Sequence, residues 1–469
     1  MPNDWLNVLL ILAVLLGLML VLRRVQRRYS PHPELIRKLL HVSMGLITLS
    51  FPWLFHSALP VVTLAVLAVG WMALLKFYPP LRTQLGTVLG GVGRQSLGEI
   101  YFPISIALIF VLAQDDPLLY AIPMLLLTLA DAVAAMIGVR YGRLHYKTAD
   151  GQKTAEGSIT FFMVAFFSAH VPLLLLSQTG RAETLLIAVI LGLLVMLLEA
   201  IAWRGLDNLF IPLGGFLLLK THLEMTVPDL LVRLVVTLVL VAFVLCWRKK
   251  TTLNDSALLG AALIGYLSWA LGGWQWFIPP GILFVTYPLF VPWIDQQQTP
   301  LNDTERQMML WLPTNPDAHP RQWERVHNIY SVLSVCAAGL LWLTLFVLLD
   351  RPELLYPYTL AYSANLAVVG VAGISPIRYW HPSRIGFLLR SILKAWAILA
   401  LPMLIVIGFS HASLLYLGIA LIGTAFAAIG YYLAQPLLRS LKSDLLAWIC
   451  RPIFTWLGSL LCLIPLLLQ

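Results

Sequence analysis

Long apolar runs separated by short polar segments recur along the whole chain. A membrane-crossing helix needs about 17–25 mostly apolar residues. On that window the pattern predicts spans near 5–22, 41–56, 58–75, 101–113, 118–139, 158–177, 184–203, 208–219 and 229–247. A second series follows at 256–273, 276–294, 328–349, 355–374, 389–409, 411–433 and 452–468. The runs at 101–113 and 208–219 are short, which suits re-entrant or tilted helices and sets the total at about 14–16 transmembrane helices. The expected fold class is therefore all-α, a polytopic membrane protein. A polar stretch from Lys249 to Asp255 marks a boundary between two membrane modules, 1–250 and 251–469.

Composition agrees with the pattern. Of 469 residues, 59% are hydrophobic and 11% charged, and mean hydropathy is +0.84. A soluble domain carries about 25% charged residues. The net charge of +9 would suggest a nucleic-acid partner in a soluble protein. Here the cations sit beside apolar runs, so membrane lipids are the expected surroundings and no nucleic acid is. Arg23, Arg24, Arg27, Arg28, Arg37 and Lys38 follow the first run, which places that segment on the cytoplasmic side. Counting onward, Lys76, Arg82 and Arg94, then Arg140, Arg143, Lys147 and Lys153, then Arg204 fall on the same side. The first run, Trp5 to Leu22, has no basic region before it and reads as a retained span. Cys246, Cys336, Cys450 and Cys462 show no CxxC spacing and read as packing residues.

Charge then singles out one stretch, Asp131 to Phe162. An ionisable residue at mid-membrane costs roughly 2.5–3.5 kcal/mol on insertion scales, so Asp131 needs a partner or a task. Beyond it lie Arg140, Arg143, Lys147 and Lys153, cations suited to phosphate oxygens. Gly151 and Gly157 would permit close backbone approach to a phosphate, and Gly138 and Gly142 share a helical face with Asp131 and Ala135. Mg²⁺ takes hard oxygen ligands, usually one or two carboxylates plus substrate phosphates. Asp131 and Glu156 are the candidate metal pair, with Lys153 placed to neutralise transferred phosphate. The alternative is a buried Asp131 paired to a nearby Arg. Three further segments on the same face add Arg37, Lys38 and His41, then Glu99, then Glu199, Asp207 and Asn208. Arg37 and Lys38 also suit a membrane-edge anchor, and Asn208 a helix cap.

In order along the chain, these segments resemble the polyprenol kinase family, which includes phytol kinase, dolichol kinase and the CTP-dependent diacylglycerol kinase. The similarity runs through Arg37-Lys38-Leu39-Leu40-His41 and Gly98-Glu99-Ile100-Tyr101-Phe102-Pro103, then DxxAxxxGxxYG at Asp131, Ala134, Gly138, Tyr141 and Gly142. It continues with Lys153-Thr154-Ala155-Glu156-Gly157-Ser158 and ends with Glu199 and Gly205-Leu206-Asp207-Asn208, covering about residues 30–220. The resemblance implies a multi-pass membrane transferase that moves the terminal phosphate of a nucleoside triphosphate, usually CTP, onto a lipid alcohol such as phytol, geranylgeraniol or dolichol. A divalent cation would assist, and the site would face the cytosol. Asp131, Lys153 and Glu156 would be catalytic. Gly138, Arg140, Gly142, Lys147, Gly157, Arg37 and Lys38 would bind nucleotide, and His41, Glu99, Glu199, Asp207 and Asn208 would support the substrate.

Two alternatives stand beside this. A phosphatidate cytidylyltransferase would use CTP to make CDP-diacylglycerol, but its Asp-Arg-Xaa-Asp run is missing, with Gly205-Leu206-Asp207-Asn208 nearest to it. A lipid transporter would also bury acids, without needing a loop of Lys, Glu and Gly. The second module shows a weak similarity to phytyl-phosphate kinases at Leu253 to Gly265, while Ser363-Ala364-Asn365 lacks the acid such an enzyme would need. Its polar residues His319, Arg321, Glu324, Arg325, His327, Asn328, Arg378, His381 and Arg384 read as cytoplasmic loop residues, with binding of a phosphate or lipid headgroup as the alternative.

Overall fold

The computed structural model describes residues 4–29, 33–77, 97–113, 116–148, 151–202, 205–247, 253, 255–297, 329–372, 382–440 and 444–467. They form two compact units, Met1–Phe243 and Val244–Gln469. Among the described residues, nine helices are long and apolar enough to cross a membrane, and four more are apolar but shorter. This is an all-α polytopic membrane protein. The residues named above at 319–328, 378 and 381 lie outside the described residues, as do Arg82, Arg94 and Arg204.

The first unit begins with α1 (Asp4–Tyr29), α2 (Pro33–Thr48), the short α3 (Phe51–Leu54) and α4 (Ala58–Phe77). The second apolar run is thus not one helix over 41–56. Helix α2 starts eight residues earlier, at Pro33, and a turn at Leu49 and Ser50 precedes α3. Pro52 explains the break, because its ring is accepted in the first turn of a new helix but not inside a continuing one. Next come α5 (Gly98–Ala113), α6 (Pro117–Leu125), a π-helical turn (Leu126–Ala130) and α7 (Asp131–Tyr141). Asp116 caps α6 by accepting from the backbone N–H groups of Leu118 and Leu119 at 2.8 and 3.1 Å.

A hairpin follows, β1 (His145–Thr148) and β2 (Gly151–Thr154), and then α8 (Ala155–Leu176), α9 (Arg181–Ile201), α10 (Asp207–Leu223) and α11 (Val227–Trp247). The run at 208–219 becomes the 17-residue α10, about 25 Å long at 1.5 Å per residue and short of a hydrocarbon core of about 30 Å. Helix α9 supplies much of the core, with Ile187, Ala188, Leu191, Leu194 and Val195 buried. Helices α7 and α8 cross tightly: a Cβ on Gly157 would lie 3.2 Å from the Ala134 carbonyl and 3.4 Å from the Cα of Gly138. Small residues permit this approach, as they do between transmembrane helices generally.

The second unit holds α12 (Asp255–Gly272), α13 (Trp274–Gln297), α14 (Ile329–Leu349), α15 (Leu355–Ala372), α16 (Pro382–Ile407), α17 (His411–Ser440) and α18 (Asp444–Ser459), followed by a 3₁₀ turn and a last short helix. Its interior helix is α15, where Tyr358, Tyr362, Ala364 and Ala367 are fully buried. Ser363 shares a hydrogen bond with Thr424 at 3.0 Å, and Asn365 donates to Thr455 at 3.1 Å. In this unit Ser363 and Asn365 bind helices together.

Candidate functional site

Lys38 sits on the second turn of α2, flanked by the buried Ile36 and Leu40. Its Nζ donates to Asp131 Oδ2 at 2.6 Å, and both side chains are nearly closed to solvent, 6% and 9% exposed. So the carboxylate that the sequence leaves in search of a partner is held by Lys38, a cation that also suited a membrane-edge anchor. His41, one turn along α2, lies 3.9 Å from the same Oδ2. Its Nε2–H donates to the Leu127 carbonyl at 3.3 Å, inside the π-helical turn that precedes Asp131. A π turn breaks the i to i−4 ladder, so carbonyls there are open to outside donors. Phe102 of α5 packs on the His41 ring, with centroids 4.8 Å apart.

Lys153, in β2, meets Glu199 near the end of α9. Its Nζ donates to Glu199 Oε1 at 2.6 Å and to the carbonyl of the same residue at 2.5 Å. The Lys153 side chain is one-quarter exposed, so this pair is more open than Lys38 and Asp131. Burial would lower its pKa, but the Glu199 charge and hydrogen bond outweigh that and hold it above the ordinary lysine value. Asn208, buried at the start of α10, donates to the Gly98 carbonyl at 2.9 Å and ties α10 to α5. The two ion pairs share one electrostatic neighbourhood. Charges on Asp131 and Asp207 both act on Glu199, and Asp207 also acts on Lys153 and on His41. Arg37 acts on Asp131.

Other candidates take different positions. Glu156 lies in the first turn of α8, and both its oxygens are 3.3 Å from the backbone N–H of Leu144. The acids that meet the lysines are Asp131 and Glu199, with Glu156 turned to the hairpin base. Arg140 is exposed and rests over the Tyr141 ring at 5.5 Å. The glycines face protein: a Cβ on Gly142 would come within 2.8 Å of Thr154 Cβ, and one on Gly138 within 2.9 Å of Thr154 Oγ1. Thr154 in turn caps α8, accepting from Gly157 N–H at 3.2 Å. Lys147 lies in β1 opposite Gln152, and Glu99 is half-buried in the first turn of α5.

Hard oxygen donors for a divalent cation are present in Asp131, Glu199 and Asp207. Among the described residues, no three His, Cys, Asp or Glu side chains are already gathered around one point. Phe102, the Lys38 partnership and Tyr146, whose hydroxyl meets Ser158 at 2.7 Å, were not legible as site features. The signal for Lys38 was a cation wedged between apolar positions of one helical face.

The chain is 30% identical over 212 residues to a phytol kinase of Synechocystis sp., a match that takes in 44% of this chain and 87% of that protein. No family model and no solved structure matches. The relationship favours neither the cytidylyltransferase nor the transporter alternative.

Proposed function

Because the chain belongs to the phytol kinase family, we propose that it is a membrane-embedded lipid-alcohol kinase. It transfers the terminal phosphate of CTP to an isoprenoid alcohol such as phytol or geranylgeraniol. The observation that carries this reading is the pairing of Lys38 with Asp131 and of Lys153 with Glu199. Two lysine–carboxylate pairs beside apolar helices suit an anionic donor and a greasy acceptor together.

Phosphoryl transfer asks little covalent chemistry of a protein, so positioning and charge neutralisation do most of the work. Lys153, the more open of the two lysines, exchanges its bond with Glu199 for phosphate oxygens and offsets the charge on the transferred group. Lys38, bonded to Oδ2, fixes the direction of the Asp131 carboxylate. A divalent cation bound with the nucleotide would neutralise charge on the phosphates, held by Asp131 and Glu199. His41, its Nε2–H occupied by Leu127, orients beside Asp131 where the alcohol would approach. Apolar helices around the pairs exclude water and so protect the phosphoryl group from hydrolysis.

The test is product identity. Purified protein is incubated with labelled CTP or ATP, Mg²⁺, and phytol, geranylgeraniol, dolichol or diacylglycerol in turn. A lipid monophosphate with release of CDP supports the reading. Pyrophosphate with a CDP-lipid would replace it with a cytidylyltransferase.

A further inference from the structure

The hairpin that carries Lys153 has its base fixed by the backbone. Ala155 N–H donates to the Leu144 carbonyl at 2.9 Å, and Thr154 caps the helix that follows. Lys153 lies one residue farther out, on a strand of four residues. A two-stranded ribbon of this size has little stability by itself, and a lysine side chain carries about 2 kcal/mol of rotamer entropy. The two hydrogen bonds from Lys153 to Glu199 are made at the tip of that flexible side chain, so the placement of the strand beneath it bears on whether they form.

Tyr146 stands directly across the ribbon from Lys153 in the antiparallel register, so the two side chains share a face. The Tyr146 hydroxyl reaches forward to Ser158 Oγ, 2.7 Å away on the first turn of α8. Tyr146 is thus the cross-strand neighbour of the lysine whose ammonium meets Glu199. Burial pushes its pKa up, so it remains a neutral hydroxyl at working pH.

We infer that Tyr146 is a positioning residue: its hydroxyl, bonded to Ser158, fastens the hairpin to α8 and so aims Lys153 at Glu199. The inference rests on the kinase reading for its consequence in turnover, but not for its geometry. Tyr146→Phe keeps the ring and removes the fastening. Ser158→Ala removes it from the other side, and Ser158→Thr keeps a hydroxyl.

The experiment uses the full-length protein in lipid nanodiscs. Lys153 modification by an amine-selective reagent is followed by mass spectrometry, alongside kcat and the KM for phytol. Tyr146→Phe and Ser158→Ala should each raise the labelling rate of Lys153 severalfold. Each should lower kcat about 10- to 100-fold, the scale set by small misplacements of a catalytic group, with KM for phytol unchanged. Ser158→Thr should restore both values. Wild-type labelling and kcat in both hydroxyl-deleted variants would overturn the inference. Faster labelling in a protein that phosphorylates no lipid alcohol would uphold the positioning and overturn the kinase reading.

Discussion

Lys38 and Asp131 face each other with side chains 6% and 9% exposed, and removing one member of such a pair strands the other charge. Lys38→Met should therefore destabilise the protein by about 3–5 kcal/mol, measured by unfolding in detergent. The double change Lys38→Met with Asp131→Leu should be less destabilising than the single one, since no charge is stranded. Equal losses would mean that the pair contributes nothing as a pair. Lys153 bears on pH instead. Its pKa is held above the ordinary value of about 10.4. A group raised in this way contributes stability that is complete below its unfolded pKa and lost as pH climbs through the folded one. Its charge is thus constant from about pH 6 to 9, and the ratio of wild-type to Lys153→Ala turnover should be flat there. A ratio that collapses below pH 9 would show that Lys153 titrates. At this scale the acids and lysines were legible as types, because charge in apolar sequence is conspicuous. Who pairs with whom was not. Lys38 and Asp131 are 93 positions apart, and nothing local links them.

Between elements, the closest approach near the site is α2 against the π-helical turn. A Cβ on Gly45 would fall 2.7 Å from the Cβ of Thr128, one turn along α2 from His41. Gly45→Ala should push these elements apart, costing about 1–3 kcal/mol and lengthening the Lys38–Asp131 contact, with turnover falling as well. Gly17→Ala in α1 is the control, because nothing lies within 4 Å of a Cβ there; it should leave the rate unchanged and lower stability not at all, a helical alanine being favoured over glycine by about 0.5–1 kcal/mol. Similar effects from both would remove any special role for the α2 crossing. Helix positions follow from the apolar runs, since a membrane span is dictated by length and hydropathy. The π turn does not, because a segment apolar on every side carries no periodicity in which a one-residue register change would show. Nor does the hairpin at 145–154, whose four-residue strands leave too little alternation to recognise.

For the whole molecule, the cation count gives an expected orientation, with the hairpin on the cytoplasmic side. A cysteine placed at Thr148, in the hairpin, should react with a membrane-impermeant maleimide from the cytoplasmic side of sealed vesicles and not from the other. Reaction from the opposite side only would invert the topology. Division into Met1–Phe243 and Val244–Gln469 leaves the candidate residues in the first unit. The matched relative corresponds to 44% of the chain. The second unit's interior Ser363 and Asn365 read as helix-to-helix bonds, a use that sequence alone could not separate from chemistry. The central claim is phosphoryl transfer to a lipid alcohol at Asp131. Its most direct test is the transfer of label from γ-labelled CTP into organic-extractable phytyl phosphate by the wild type and by Asp131→Asn at matched folded amounts. The account expects robust incorporation by the wild type and a loss of about 100-fold or more in the variant; equal incorporation by both would contradict it.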